Sequence, residues 1–315
     1  MAKFLQLIRF PNLVMIALTQ FLFYFYWIVP FDDHLYISID LFSCVVLATI
    51  LIAAGGNIIN DILDVKTDRI NKPHKVFIGT FIPKKKAFPL YIAISLAGIA
   101  LGSYVGFAIN RYWISFIFIG IALLLFLYSA YLKGVPVLGN IVVSLLVASS
   151  LLILIAFKLE CPATRGKHIH FFNTVSLIAI NVYASFAFLI NLIREMVKDN
   201  EDINGDYNAN IFTLPIILGR NRVNKIVAIL AGIVILFILY IISEYLKGKT
   251  VTTIYALFTI LLPLLYFIIK IWQADTKHEY KMLSLLLKLI MLFGILSTLV
   301  YYYFEPYDVF QYILF

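Results

Sequence analysis

Charged residues and cysteines are both scarce in this chain of 315 residues. Asp, Glu, Lys and Arg make up 13% of it, against roughly 25% in an ordinary soluble domain. Hydrophobic residues make up 63%, against roughly 45–50% in such a domain. This composition excludes a soluble globular protein. The two cysteines, Cys44 and Cys161, are too few and too far apart to indicate a disulfide framework or a cysteine metal site.

Long apolar runs occupy most of the chain. A transmembrane helix needs roughly 20 apolar residues. Runs of 18 to 26 residues without Asp, Glu, Lys or Arg occur at 10–31, 41–60, 87–110, 112–132, 134–157, 168–193, 226–243 and 250–269. A ninth run, 283–304, is interrupted only by Lys288. The sequence therefore predicts an all-α membrane protein with nine transmembrane helices. Because no room is left for a separate soluble region, we expect one integral-membrane domain over residues 1–315.

Basic residues mark the predicted cytoplasmic face. The N-terminus and the loops after helices two, four, six and eight hold 18 of the 25 Lys and Arg residues, whereas the opposite loops hold six. The positive-inside rule places the N-terminus and those loops in the cytoplasm, and we expect a multi-pass protein of the plasma membrane, the inner membrane of the cell. The same rule accounts for the net charge of +8. We therefore expect the basic loops to meet membrane lipids and no nucleic acid.

Two of the cytoplasmic segments combine acids and amides at helical spacing. Residues three and four apart share one face of a helix. The first segment carries on that face Asn57, Asn60, Asp61, Asp64 and Asp68. The second carries Asn191, Glu195, Asp199, Asp202 and Asp206. Because both contain the spacing Asp-x-x-Asp-x-x-x-Asp, chance is a poor explanation of the pair.

Like charges at helical spacing repel each other, so two acidic stripes on one side of a membrane require cations. Mg²⁺ prefers oxygen ligands and is usually held by one or two carboxylates together with substrate phosphates. Facing stripes would hold Mg²⁺ against a diphosphate, and nearby cations would bind the remaining phosphate oxygens. Those cations are Arg69, Lys72, Arg194 and Lys198. The pattern indicates a site for an isoprenyl diphosphate at the membrane surface.

The chain resembles the UbiA superfamily of intramembrane prenyltransferases in three motifs. They are Arg9-Phe10-Pro11-Asn12, Asn60-Asp61-x-x-Asp64-x-x-x-Asp68-Arg69-x-Asn71-Lys72-Pro73, and Asp199-x-x-Asp202-x-x-Gly205-Asp206 followed by Thr213-Leu214-Pro215 and Gly219. The resemblance implies a nine-helix bundle with cytoplasmic Asp-rich loops after helices two and six. Lys72 departs from the pattern, since many relatives have Arg there. The change keeps the charge but loses the bidentate fork.

The resemblance also implies an enzyme, a Mg²⁺-dependent prenyltransferase, and roles for its residues. The catalytic and metal-binding residues would be Asp61, Asp64, Asp68, Asp199, Asp202 and Asp206. The substrate-binding residues would be Asn57, Asn60, Arg69, Lys72, Tyr128, Lys133, Arg194 and Lys198. Tyr128 and Lys133 are one residue further apart than the similar pair in the archaeal branch of the superfamily.

The second motif most resembles that archaeal branch, whose members transfer a geranylgeranyl group to a glycerol ether phosphate in lipid synthesis. It is also similar to the motif of homogentisate prenyltransferases, so an aromatic acceptor such as 4-hydroxybenzoate, homogentisate or a naphthoate is the alternative. From a different class, an ion-coupled transporter would use the acids as an ion relay. Transporter sites, however, lie near the bilayer midplane, whereas these acids lie at predicted helix ends.

Overall fold

A computed structural model describes residues 2–31, 37–157, 174–209 and 211–305 of the chain. Within those ranges the regular structure is helical, apart from an isolated bridge between Ile78 and Ile82. The helices in chain order are α1 (Ala2–Leu7), α2 (Phe10–Phe23), α3 (Ile39–Leu63), α4 (Val65–Asn71), α5 (Lys84–Ala108), α6 (Ile114–Ala130), α7 (Leu138–Ala156), α8 (Thr174–Asn208), α9 (Leu214–Leu218), α10 (Arg220–Tyr245), α11 (Thr250–Ala256), α12 (Leu262–Gln273) and α13 (Lys277–Phe304).

Among the described residues, eight helical segments are long and apolar enough to cross a membrane. They are Phe10–Ile28, Ile39–Leu63, Lys84–Ala108, Leu138–Ala156, Val175–Asn208, Arg220–Tyr245, Thr250–Gln273 and Lys277–Phe304. α6 is apolar but shorter, at 17 residues. Each of the nine predicted runs thus contains a helix. Large apolar side chains such as Phe116, Leu236 and Ile229 are 64–74% exposed, as expected of a surface that faces lipid rather than water.

The first acidic segment is not one continuous helix, contrary to the interpretation of a single helical stripe. α3 ends at Leu63, and α4 begins at Val65 after Asp64 adopts φ −84° and ψ 3°. Hydrogen bonds from Asp64 N to Asn60 O (2.9 Å) and from Asp68 N to Asp64 O (2.8 Å) cross the break. The backbone therefore turns at the middle acid of the motif without losing its hydrogen bonds.

The chain divides into two compact units. The first comprises residues 1–21, 34–161 and 202–213. Its α3 packs against α5 and α6, and glycine permits the close approach. A Cβ atom at Gly98 would lie 2.8 Å from Ile52 Cγ1 and 3.0 Å from the Ala48 carbonyl oxygen. Small residues at such positions let membrane helices pack backbone to backbone. This packing supports α3, whose C-terminal end carries the first acids.

The second unit comprises residues 22–33, 162–201 and 214–315. Its core is formed by α10, α12, α13 and the part of α8 up to residue 201, and it buries Leu264, Phe267 and Leu287 completely. α13 begins with a capping box, in which the Thr276 hydroxyl accepts from Glu279 N and the Glu279 carboxylate accepts from Thr276 N. Such a box satisfies backbone donors that the helix start leaves open.

Candidate active site

The acids of the first motif lie together at the end of α3 and in α4, each within electrostatic range of the other two. Asp64 is buried, and its Oδ2 accepts a hydrogen bond of 2.7 Å from Asn60 Nδ2. The Asp61 side chain is 11% exposed, and its Oδ1 lies 3.1 Å from Arg9 NH2. Asn60 thus holds one carboxylate of the motif, and a residue of the N-terminal segment holds another.

Lys133 forms an ion pair with the buried carboxylate of Asp64 through its ammonium group. Lys133 lies in the short 3₁₀ turn Leu132–Gly134 between α6 and α7. Burial by itself would lower the pKa of Lys133, but the Asp64 carboxylate outweighs that effect and the pKa is raised. Lys133 therefore remains a fixed positive charge beside the first motif.

The end of the second motif joins the first motif within the first unit. Lys72 Nζ lies 2.6 Å from Asp202 Oδ2. Asn71 Nδ2 donates to the Asp202 carbonyl oxygen at 2.8 Å, and Asn71 Oδ1 accepts from Gly205 N at 2.9 Å. Asp206, 5% exposed, is within electrostatic range of Asp64 and Lys133. Two motifs more than 130 residues apart along the chain are therefore brought to one place.

Burial and repulsion by a neighbouring carboxylate both raise the pKa of Asp68. Burial raises the pKa of the Asp68 carboxyl, and the negative charge of Asp64 raises it further, while Lys133, Lys72 and Arg9 oppose the rise. Five carboxylates (Asp61, Asp64, Asp68, Asp202 and Asp206) meet three cations (Arg9, Lys72 and Lys133) in this region. Carboxylates outnumber cations here, and such an excess of negative charge favours a bound cation.

The donor set fits Mg²⁺ held together with substrate phosphates. In the described ranges no three His, Cys, Asp or Glu side chains form a ready metal centre, but Mg²⁺ commonly uses only one or two carboxylates. Asp202 Oδ1 is buried and has no hydrogen-bond partner among the described residues. Nor does the buried Asp206 carboxylate form a hydrogen bond or ion pair with any residue that the structure describes. A buried carboxylate oxygen without a hydrogen-bond partner destabilises the folded protein unless a cation binds it.

Three further residues predicted to bind substrate lie at or near this site. Asn57 donates from Nδ2 to the Ile8 carbonyl oxygen at 2.9 Å, so its amide holds the N-terminal segment. Arg69 is exposed in the last turn of α4 and forms no ion pair with a described residue. Tyr128 is partly buried near the C-terminal end of α6.

Asp199, Arg194 and Lys198 lie in the second unit, on the same helix as Asp202. Lys198 Nζ lies 2.7 Å from Glu195 Oε2, and Arg194 NH1 lies 3.1 Å from Glu195 Oε1. Glu195 therefore binds both predicted phosphate-binding cations of this segment. It belongs to the acidic stripe of the sequence but not to the predicted metal ligands.

Two functional residues were not predicted as site residues, although both stand in the quoted motifs. Arg9 pairs with Asp61, and Asn71 binds the backbone of α8. The sequence signal for both was their place in those motifs, Arg9 at the start of the first and Asn71 in the Asn71-Lys72-Pro73 turn. Only the fold shows that these residues meet the acids.

An apolar cavity in the second unit is separate from the acidic residues. It has a volume of about 130 Å³ and is lined by residues including Trp27, Tyr183, Phe186 and Tyr301. Phe186 precedes Asp199 by 13 positions on α8, which at 3.6 residues per turn places their side chains about 140° apart around the helix. The cavity therefore opens on a different face of α8 from Asp199.

Comparisons with known proteins identify the family of the chain. The profile of the UbiA prenyltransferase family matches residues 15–304. The digeranylgeranylglyceryl phosphate synthase of Saccharolobus solfataricus is 31% identical over 297 residues, which cover 94% of this chain and 95% of that protein. The enzyme of the same name from Pyrococcus abyssi is 31% identical over 217 residues, 67% of each chain.

Solved structures share the fold. A structure described as giving insight into digeranylgeranylglyceryl phosphate synthase in membranes superposes with a TM-score of 0.62 at 24% identity, covering 95% of this chain and 97% of that one. A UbiA homologue from Archaeoglobus fulgidus bound to DMAPP and Mg²⁺ superposes with a TM-score of 0.59 at 18% identity, covering 95% and 99%. Because the family profile spans the chain from Met15 to Phe304 and includes both acidic motifs, the chain belongs to the UbiA prenyltransferase family and is a prenyltransferase.

Proposed function

We propose that the protein transfers a polyprenyl group, geranylgeranyl, from its diphosphate to geranylgeranylglyceryl phosphate with the help of Mg²⁺, in the synthesis of ether lipids. The observation that carries the proposal is the meeting of both acidic motifs with Lys72 and Lys133 in the first unit. A buried excess of carboxylates beside fixed cations is suited to a metal-bound diphosphate.

Each residue of the site has a role in this reaction. Asp61, Asp64, Asp68, Asp202 and Asp206 would hold the metal, and the spacing of the motif adds Asp199. Mg²⁺, when bound, supplies positive charge that neutralises the departing diphosphate. Lys72 and Lys133 exchange their carboxylate partners for phosphate oxygens and stabilise the same charge.

The bond changes follow from these roles. The C1–O bond of the donor breaks, and its electron pair leaves with the diphosphate. The allylic carbon, shielded from water among apolar helices, is attacked by the acceptor hydroxyl oxygen, which forms the new C–O bond and passes its proton to the departing diphosphate. Arg69, Arg194 and Lys198 assist in binding the phosphates, while Asn57, Asn60 and Tyr128 support the residues around them.

The acceptor is inferred from the relatives. Two relatives that are 31% identical carry the name digeranylgeranylglyceryl phosphate synthase. A phosphorylated acceptor needs a cationic subsite of its own, and Arg9 lies beside Asp61 in the acid-rich site. Membership of a prenyltransferase family favours an enzyme over the alternative of an ion-coupled transporter.

We further propose that the chain works as one domain with nine spans, its N-terminus and both acidic motifs on the cytoplasmic side of the plasma membrane. α6, at 17 residues, is at the short end of the range that spans a bilayer. The asymmetry of Lys and Arg among the loops supports the orientation. Labelling of single cysteines introduced on either side of α6 would test both points.

The test of the function is a transfer assay with purified protein in lipid nanodiscs. Radiolabelled geranylgeranyl diphosphate is offered with geranylgeranylglyceryl phosphate or with 4-hydroxybenzoate, with Mg²⁺ or with EDTA. We expect Mg²⁺-dependent label in the ether phosphate. Label in the aromatic acceptor alone would make this an enzyme of quinone synthesis, and label in neither would contradict the proposal.

A further inference from the structure

Arg9 has an unusual backbone for its residue type. It joins α1 to α2 with φ +54°, in the left-handed region that is unfavourable for residues other than glycine. Asn57 Nδ2 holds the preceding carbonyl, that of Ile8, at 2.9 Å, and Asn12 N donates to the Arg9 carbonyl at 2.8 Å. Strain of this kind persists where the surrounding structure enforces it and is concentrated at functional sites.

The strained backbone carries a guanidinium group to the edge of the acidic site. Arg9 NH2 lies 3.1 Å from Asp61 Oδ1, and the Arg9 side chain is 41% exposed. The side chains of Lys72 and Lys133 are each 29% exposed. Arg9 is within electrostatic range of Asp68 and Lys133. It is therefore the outermost of the three cations that meet the carboxylates of the first unit.

The apolar neighbours of Arg9 are exposed. Phe10 and Val14, in the first turns of α2, are each 45% exposed, and Pro11 between them is exposed as well. An amphiphile in the membrane can lay its chain along such residues and present its headgroup at the level of Arg9. The donor diphosphate, by contrast, is matched by the more buried carboxylates with their metal and by the two lysines.

We infer that Arg9 binds the phosphate of the acceptor, a phosphomonoester on a prenylated glycerol. The inference rests on the proposed function and deepens it. The planar guanidinium matches two phosphate oxygens at once, which an ammonium group does not. When the acceptor binds, the phosphate takes the place of Asp61 as the partner of Arg9, and Asp61 becomes available to the metal.

The test compares Arg9→Gln, Arg9→Lys and Arg9→Gly in nanodiscs, with each substrate varied in turn against a saturating partner. We expect Arg9→Gln and Arg9→Gly to raise the KM for geranylgeranylglyceryl phosphate at least tenfold, and Arg9→Lys to raise it less. The KM for geranylgeranyl diphosphate should change less than twofold. The acceptor without its phosphate should be used equally poorly by wild type and Arg9→Gln.

Arg9→Gly separates binding from structure, because glycine adopts φ +54° without strain. Its thermal midpoint should equal or exceed that of wild type while its acceptor KM rises. Lys3→Gln is the matched control, since Lys3 lies over the Phe81 ring at 5.9 Å and is not part of the site. It should leave both KM values unchanged.

Three results would overturn the inference. They are an unchanged acceptor KM, an equal rise of both KM values, and use of the dephosphorylated lipid that is as sensitive to Arg9→Gln as use of the phosphorylated one. If wild type transfers to neither acceptor, the proposed function fails, and equilibrium binding of radiolabelled geranylgeranylglyceryl phosphate still decides the role of Arg9. Equal binding by wild type and Arg9→Gln would then exclude the subsite.

Discussion

Asn71 binds two backbone groups of α8 with one side-chain amide. Its Nδ2 donates to the Asp202 carbonyl oxygen at 2.8 Å, and its Oδ1 accepts from Gly205 N at 2.9 Å. Gly205 permits this arrangement, because a Cβ atom there would lie 2.3–2.6 Å from the Asn71 amide. The neighbouring ion pair between Lys72 and Asp202 depends on the same alignment. Asn71 and Gly205 thus set the position of the second motif against the first.

Gly205→Ala should therefore impair catalysis more than folding. The methyl group would displace the Asn71 amide and move Asp202 away from Lys72. We expect kcat to fall roughly 10- to 100-fold, in line with the loss that small misplacements of catalytic groups produce. The Mg²⁺ concentration for half-maximal activity should rise in the same variant.

Gly120→Ala is the control for that substitution. It lies in α6, and a Cβ atom there would have nothing within 4 Å. Its activity and thermal midpoint should match wild type. Equal kinetics for Gly205→Ala and Gly120→Ala would show that the alignment by Asn71 is unimportant.

Lys133→Met should strengthen Mg²⁺ binding but lower kcat. The ammonium group of Lys133 neutralises Asp64 and repels a divalent cation. Without it, Mg²⁺ should bind several-fold more tightly, whereas kcat should fall at least 100-fold because the departing diphosphate loses a fixed cation. Mg²⁺ titration of steady-state transfer measures both quantities. Lys86→Met, at an exposed position in α5, should alter neither, and weaker Mg²⁺ binding by Lys133→Met would contradict the assigned role.

Loss of a single carboxylate of either motif should abolish metal-dependent transfer. Asp64→Ala and Asp202→Ala each remove a carboxylate that forms an ion pair with a lysine. We expect less than 1% of wild-type turnover at any Mg²⁺ concentration, and the same loss in wild type treated with EDTA. Asp275→Ala removes an acid whose side chain is 79% exposed and should retain full activity. Retained turnover in either of the first two variants would contradict the assignment of the metal site.

A buried polar network should dominate the stability of the second unit. Asn224 Nδ2 donates to the Ala274 carbonyl oxygen at 2.7 Å, and its Oδ1 accepts from Asn200 Nδ2 at 3.0 Å. Tyr280 donates to the same Ala274 carbonyl at 2.8 Å. Asn224→Leu leaves the buried amide of Asn200 without this partner, at a cost of roughly 1–3 kcal/mol, and the Ala274 carbonyl keeps only its bond from Tyr280.

Tyr280→Phe removes one hydroxyl group from this network and should cost only about 1 kcal/mol. Thermal unfolding in nanodiscs should therefore rank wild type above Tyr280→Phe and Tyr280→Phe above Asn224→Leu. The reverse order would mean that the hydroxyl of Tyr280, rather than the amide of Asn224, holds the network together.

Much of the fold was predictable because its causes are local. Every predicted apolar run contains a helix, since run length and the absence of charge suffice to specify a membrane-crossing segment. The break at Asp64 was not predictable from periodicity. The stripe through Asn57, Asp61 and Asp68 assumes a straight helix, whereas the backbone turns between α3 and α4.

The site, like the fold, was predictable only in part. The residue types and their spacing predicted the acids and Lys72, because a diphosphate with Mg²⁺ requires carboxylates and cations whatever the fold, and the family resemblance added Lys133. Their pairing depends on long-range packing. Lys133 meets Asp64 across 69 positions, and Lys72 meets Asp202 across 130. The contact of Asn57, which is predicted to bind substrate, is of the same kind: its amide donates to the Ile8 carbonyl across 49 positions.

The sequence by itself determined that this protein is a helical membrane enzyme with two acidic motifs, because hydropathy and residue chemistry are properties of short segments. The tertiary structure decided which cation each acid meets, that Asn71 aligns the motifs through Gly205, and that Arg9 stands at the edge of the site. Those relationships depend on side chains from distant segments approaching within 2.6–3.1 Å, and no local pattern encodes that approach.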